Sequence, residues 1–161
     1  MKTLLSRAAL GAAAMALGLS GAQATTTATA NLNVSLQVIS SCTVSATPLT
    51  FPQSTVSSNV DATATISVAC GSGASYSVTL GDGQHSVGTP GSGLRMMASS
   101  SGTIEYQLYS DFSRSAAWSG AAAVPGTGTG AAQPITVYGR VPASGAAPGA
   151  YSDQVQITVT Y

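Results

Sequence analysis

The sequence predicts an all-β fold, an antiparallel β-sandwich in which two sheets pack face to face. About seven short segments alternate apolar and polar residues, which is the pattern of a half-buried strand. Stretches rich in glycine and proline separate these segments, and no helical period follows Ala24. Short strands at regular spacing with turn signals between them are typical of sandwiches.

Residues 1–24 predict a secretory signal peptide. Lys2 and Arg7 precede an apolar run over residues 8–19, and Ala22-Gln23-Ala24 is a small-x-small cleavage site. The apolar run is too short to span a membrane, and it is apolar all round, unlike an amphipathic anchor. We therefore expect cleavage after Ala24, which leaves 137 of the 161 residues as a single exported domain without a membrane span.

The next segment, residues 25–39, predicts a strand that pairs with the sheet of another chain. Its apolar residues occupy every second position: Ala28, Ala30, Leu32, Val34, Leu36 and Val38. The segment contains no proline, glycine or charge, although soluble proteins normally blunt an exposed strand edge with charge or proline.

Cys42 and Cys70 are the two cysteines of the chain, so one pairing exists after export into an oxidising compartment. We expect a disulfide between them. A metal site is disfavoured because His85 is the sole histidine and lies in a glycine-rich loop, where a solvated side chain is expected. No cofactor site is predicted.

Six further strands are expected in chain order, after an edge or crossover segment bracketed by Pro48 and Pro52. They cover residues 63–70, 75–80, 94–97, 103–109, 135–141 and 153–161. The first two look like paired neighbours joined by the turn at residues 71–73. Trp118 is expected to be buried, and residues 120–130 are expected to form a loop because they lack large apolar side chains.

Alternation also predicts which side chains face the core. The inward sets are Ala64, Ile66, Val68 and Cys70; Tyr76, Val78 and Leu80; Ile104, Tyr106 and Leu108; and Val155, Ile157, Val159 and Tyr161. The last set ends at the final residue of the sequence, inside a strand. The sandwich therefore lacks an obvious closing neighbour for that strand.

The charges disfavour two classes of function. Residues 25–161 hold three arginines against five carboxylates, a formal charge of −2, and three scattered arginines do not form a phosphate-binding patch. Nucleic acid is therefore not an expected partner. Catalysis is not expected, because no nucleophile-elbow motif accompanies His85.

Several motifs, taken in order, resemble one known family. They are Cys42-Thr43-Val44, residues 64–70 and 76–80, Arg95-Met96-Met97, residues 106–111, Trp118, residues 137–142 and 149–153, and the closing Val159-Thr160-Tyr161. Together they resemble the spore coat protein U domain, the subunit family of archaic, Csu-type chaperone-usher pili. The resemblance covers nearly all of residues 25–161.

The resemblance implies an incomplete immunoglobulin-like sandwich over residues 38–161, completed by a donor strand from another copy. It implies that residues 25–37 are that donor strand, with Ala28, Ala30, Leu32, Val34 and Leu36 as its buried face. Val155, Ile157, Val159 and Tyr161 would form a wall of the acceptor groove and the chaperone contact. The implied partners are neighbouring pilus subunits, a periplasmic chaperone and an outer-membrane usher, and the implied place is the periplasm in transit and then the cell surface, in adhesion and biofilm formation.

An alternative from a different class stays open at this point. A self-contained, secreted β-sandwich adhesin or coat protein would bind a surface glycan through exposed aromatic side chains. The candidates for such a site are Tyr109, Phe112, Trp118 and Tyr151.

Overall fold

The computed structural model describes residues 26–91 and 94–161. The predicted signal peptide, residues 1–24, lies outside these ranges. The chain divides after Leu36, so residues 26–36 are described separately from Gln37–Tyr161. Residues 26–36 have no regular secondary structure, and all their side chains are exposed.

Gln37–Tyr161 is an antiparallel β-sandwich, as the sequence predicts. Its described residues form eight strands: β1 Cys42–Ala46, β2 Val60–Cys70, β3 Ser75–Leu80, β4 Arg95–Ser99, β5 Gly102–Tyr109, β6 Val124–Thr127, β7 Ala132–Val141 and β8 Ile157–Thr160. One sheet has the order β1-β2-β7-β5-β4, and the other has the order β6-β3-β8. The fold is that of an immunoglobulin-like sandwich that lacks a strand.

The core lies between the two sheets and follows the predicted alternation. Ile66, Val68 and Cys70 of β2 are buried, as are Val78 and Leu80 of β3, and Trp118 is fully buried. The indole Nε1 of Trp118 donates to the carbonyl of Val78 at 3.0 Å, which satisfies its one polar atom. The predicted inward faces of β2, β3 and β5 are therefore confirmed.

The prediction that β2 and β3 are paired neighbours is wrong. β2 pairs with β1 and β7, whereas β3 pairs with β6 and β8 in the other sheet. Gly73, at a φ of +80°, lies in the turn between them, and its N–H donates to the carbonyl of Gly128 at 2.9 Å. The turn therefore carries the chain across the sandwich instead of folding it back on the same sheet.

Two other predicted boundaries also change. Residues 120–130 are not wholly a loop, because β6 lies within them and pairs with β3. The last strand begins at Ile157 and not at residue 153. Residues 47–56 form no strand, but Leu49 and Phe51 pack against the core half-buried, as a crossover would.

Candidate functional site

The candidate site is an apolar groove that enters the space between the two sheets. Its cavity has a volume of about 680 Å³. The floor is made of core side chains from both sheets, among them Ile66, Leu80, Ile104, Leu108 and Val137. A cavity of this size with such a lining is an unfilled part of the core, because protein interiors are otherwise close-packed.

The two sides of the groove come from distant parts of the chain. One side is residues 46–54, which contribute Leu49 and Phe51. The other is the approach to β8, which contributes Tyr151, Val155 and Ile157. Leu49 and Phe51 pack closely over Gly139, since a Cβ there would lie 3.0 Å from both side chains.

β8 is an edge strand. It pairs with β3 from Leu80↔Ile157 to Ser77↔Thr160, and no strand among residues 26–91 and 94–161 pairs along its other edge. Ile157 and Val159 point toward the core and Thr158 and Thr160 point away. An edge strand without charge or proline offers its free main-chain groups for pairing with another strand.

The predicted acceptor residues do not share one environment. Val155 and Ile157 line the groove, and Val159 packs against the core beside it. Tyr161 is 61% exposed. The structure therefore places Val155 and Ile157 in the lining of the groove, whereas Val159 packs against the core outside that lining and Tyr161 lies at the surface.

Residues 26–37, the described part of the predicted donor strand, are exposed. Leu32, Val34 and Leu36 have exposed fractions of 87%, 85% and 86%. In the described residues 26–40 no strand pairing exists. A strand needs a partner for its main-chain groups, so the assignment of residues 25–37 as a donor strand stays a prediction.

A buried carboxylate, Asp153, lies where the groove meets the loop between β3 and β4. Its side chain is 2% exposed and accepts from the Tyr106 hydroxyl at 2.6 Å, from His85 Nδ1 at 2.9 Å and from the backbone N–H of Gln84 at 2.9 Å. Both Asp153 and Tyr106 line the groove. Gly83 is required beside it, because its φ is +88° and a Cβ would collide with the carboxylate.

The environment shifts the pKa of both Asp153 and Tyr106. Burial opposes ionisation of Asp153, but the hydrogen bonds from Tyr106, His85 and the backbone together hold its pKa below the usual value. Burial, followed by the hydrogen bond to Asp153, raises the pKa of Tyr106. The expected solvated histidine is thus only partly right, since His85 is 43% exposed but bonded to Asp153.

Sequence reasoning missed a second buried ionic group, Arg95. Its side chain is fully buried, and its guanidinium donates to the carbonyls of Gly81 at 2.9 Å, Leu80 at 3.2 Å and Trp118 at 2.8 Å. These bonds tie β4 to the end of β3 and to the Trp118 segment. Burial lowers the pKa of Arg95.

A disulfide joins Cys42 and Cys70 with an S–S distance of 2.03 Å, so the predicted pairing is confirmed. The two cysteines are register partners of β1 and β2. The bond fixes the start of the sandwich directly after residues 37–41.

A scan against protein-family models matches residues 28–158 to the Spore Coat Protein U domain. The chain belongs to this family. The match begins inside the predicted donor strand and extends into β8. A search of curated proteins found no match.

Among solved structures, this spore coat protein U domain is similar to a chain of the CsuC–CsuE complex of Acinetobacter baumannii. That crystal structure is described as a pre-assembly complex of a chaperone and a tip adhesion subunit from archaic chaperone-usher Csu pili. The TM-score is 0.60 at 17% identity, over 77% of this chain and 40% of that chain. The chain thus spans less than half the length of its solved neighbour, and the likeness supports the fold.

The four aromatic candidates for a glycan site in this spore coat protein U domain lie in different environments, and one of them, Tyr151, lines the groove. Trp118 is in the core, whereas Phe112 is 78% exposed and meets Tyr138 edge to face at 6.0 Å. Arg114 lies 5.7 Å from the same ring, and Arg140 pairs with Asp61 through two bonds of 2.7 and 2.9 Å. The Arg140 bonds lower the pKa of Asp61.

Residues 26–91 and 94–161 contain no group of three or more histidine, cysteine, aspartate or glutamate side chains placed to hold a metal ion. Within the same ranges, no helix is long and apolar enough to cross a membrane.

Proposed function

We propose that this chain is a structural subunit of a chaperone-usher pilus and that it polymerises by donor-strand exchange. Residues 25–37 of one copy would insert as a strand beside β8 of the next copy. The observation that carries the proposal is that one chain has both an unfilled apolar groove and an exposed segment whose apolar residues alternate. The groove has space for a further strand, and the segment has apolar side chains that are not buried.

The energetics favour such an exchange. Burial of Leu32, Val34 and Leu36 would contribute about 1.5 to 3 kcal/mol for each side chain. Thirteen extended residues span roughly 45 Å, whereas a domain of this size has a radius of gyration near 14 Å by the usual scaling. The segment is therefore long enough to cross a whole neighbour.

Main-chain bonding would be concentrated on β8. Pro48 and Pro52, on the opposite side of the groove, have no N–H to donate. β8 contains no proline and has a free edge, so the ladder expected for strand addition forms there.

The family and its solved neighbour support the remaining partners of this proposal. Before exchange, a periplasmic chaperone would cover the groove, with β8 and the adjoining Tyr161 as its contact. An outer-membrane usher would then polymerise the subunits after export directed by residues 1–24. The finished fibre would stand on the cell surface and serve adhesion and biofilm formation.

A charge on the buried face of the donor strand provides the test. Leu32→Asp is expected to abolish polymers when the full chain is produced with its chaperone and usher, because an unpaired carboxylate in an apolar groove costs several kcal/mol. Asn33→Asp, on the opposite face, is the matched control and is expected to polymerise. The measurement is the ladder of detergent-resistant polymers in unheated samples.

Two results would contradict the proposal. One is wild-type protein that stays monomeric even with chaperone and usher present, as a self-contained sandwich would. The other is a Leu32→Asp ladder as strong as the Asn33→Asp ladder.

A further inference from the structure

Two adjacent branched apolar side chains, Val38 and Ile39, lie between the donor segment and the first strand. Their exposed fractions are 84% and 79%, and neither belongs to a strand. Adjacent apolar residues at high exposure are unusual on a surface whose polarity comes mostly from serine, threonine and glycine. Because the core of their own domain does not bury them, we expect another surface to do so.

Val38 and Ile39 cannot both belong to the donor face. Successive side chains of an extended segment point to opposite sides. Val38 continues the even-numbered set that begins at Ala28 and includes Leu36, whereas Ile39 points the opposite way. Extension of the donor face by one position beyond residue 37 would therefore account for Val38, but it leaves Ile39 unexplained.

Chain length fixes where Ile39 must lie in a fibre. Leu36 and Cys42 are six positions apart in the sequence, and six extended steps span at most about 22 Å. Cys42 is held to Cys70 by the disulfide and the β1–β2 register. When Leu36 is buried in a neighbour, Ile39 is thus confined to the narrow space between the two domains.

We infer that Ile39 is a docking residue between successive subunits and packs on the rim of the neighbour's groove. This inference rests on the proposed donor-strand exchange and adds a second contact to it. The partner is a second copy of this chain. The contact restrains the angle between neighbours, because it lies outside the inserted strand.

The test compares three variants of the full chain, each produced with chaperone and usher. Ile39→Asn is expected to polymerise, but its polymers should dissociate in denaturant at least tenfold faster than wild type. Ile39→Leu retains apolar volume and should behave as wild type. Ser40→Asn controls for the added amide at an exposed neighbouring position.

A photocrosslinking amino acid at position 39 gives a second measurement. Irradiated fibres should yield covalent dimers that survive boiling, whereas the same group at the exposed Glu105 of β5 should not. The inference is overturned if Ile39→Asn dissociates at the rate of Ser40→Asn, or if position 39 gives no dimers in polymers that form normally. Failure of wild type to polymerise, or normal ladders from Leu32→Asp, would instead overturn the proposed exchange itself.

Discussion

Asp153 joins three parts of the chain at one end of the groove. Its carboxylate accepts from Tyr106 of β5 and from His85 and Gln84 of the β3–β4 loop. It lies just after Ser152, whose N–H and C=O both bond to Ala98 of β4. The segment that approaches β8 is thus held against the five-stranded sheet before it enters the other sheet.

The shifted pKa values of this cluster predict how stability depends on pH. The folded pKa of Asp153 is lowered, so its contribution is complete above the unfolded value near 4 and is lost as the pH falls below it. The folded pKa of Tyr106 is raised, so its contribution is complete below about pH 10 and declines above it.

Tyr106→Phe tests this coupling. We expect the free energy of unfolding at pH 7 to fall by about 1.5 to 3 kcal/mol, the usual value for a hydrogen bond to a charged group. The decline of stability at acid pH and its decline at alkaline pH should also become less steep. Melting temperatures from pH 3 to 11 measure this, with Glu105→Gln on the exposed face as the control. Melting temperatures that lie below those of wild type by the same amount at every pH would contradict the coupling of Tyr106 to Asp153.

At the residue scale, the sequence predicts burial better than it predicts polar contacts. Alternation is a local property, so it identifies Ile66, Val78 and Leu108 as core residues. The bonds of Arg95 and Asp153 join positions that are 14 to 69 residues apart. No local pattern carries that information, and three carbonyl groups accept hydrogen bonds from the buried guanidinium of Arg95.

At the scale of elements, the disulfide fixes β1 to β2 at the edge of the larger sheet. Cys42 and Cys70 are 28 positions apart. In the chain-entropy account, a closed loop of that length stabilises the fold by roughly 3 to 4 kcal/mol, by restricting the unfolded chain.

Replacement of both cysteines with serine should therefore lower the free energy of unfolding by about that amount. The double substitution avoids a free thiol that would form mixed disulfides. Urea denaturation of the chaperone-released subunit measures the change, and wild type under reducing conditions is the matched comparison. A loss below about 1 kcal/mol would show that β1 is held mainly by its ladder with β2.

The strands that the sequence misplaced share a physical cause. β6 contains Pro125 and Gly126 and little apolar surface, so its composition indicates a loop. It forms a strand because it pairs with β3, and Gly126 lies so close to the Tyr76 ring that a Cβ would collide with it. The pairing partners of β2 and β3 likewise depend on packing between sheets, which strand periodicity does not encode.

On the scale of the whole molecule, the sandwich has a core that its own described strands do not fill. Counting strands in the sequence does not establish this gap, because strand periodicity does not report which strands pair. The lining of the cavity includes Leu49 and Phe51 from one part of the chain and Val155 and Ile157 from another. The first pair and the second pair are about a hundred positions apart in the sequence, so only the fold brings them to the same cavity.

An intramolecular donor gives the final prediction. Residues 26–38 are moved from the N-terminus to a position after Tyr161, through a flexible linker of about ten residues that permits either strand direction. The segment then fills the groove of its own chain, with an effective concentration in the millimolar range. We expect a monomer that no longer polymerises and whose melting temperature exceeds that of the chaperone-released wild-type subunit by about 6 °C or more, since about 2 kcal/mol or more is gained.

The same fusion carrying Leu32→Asp separates groove filling from a general effect of the added residues. It should melt near the wild-type subunit, because the carboxylate prevents insertion, whereas the Asn33→Asp fusion should keep the full gain. Size-exclusion chromatography and thermal unfolding measure both properties. Equal melting temperatures for the two charged fusions would mean that residues 26–38 do not complete this core, and the groove would then need a different occupant.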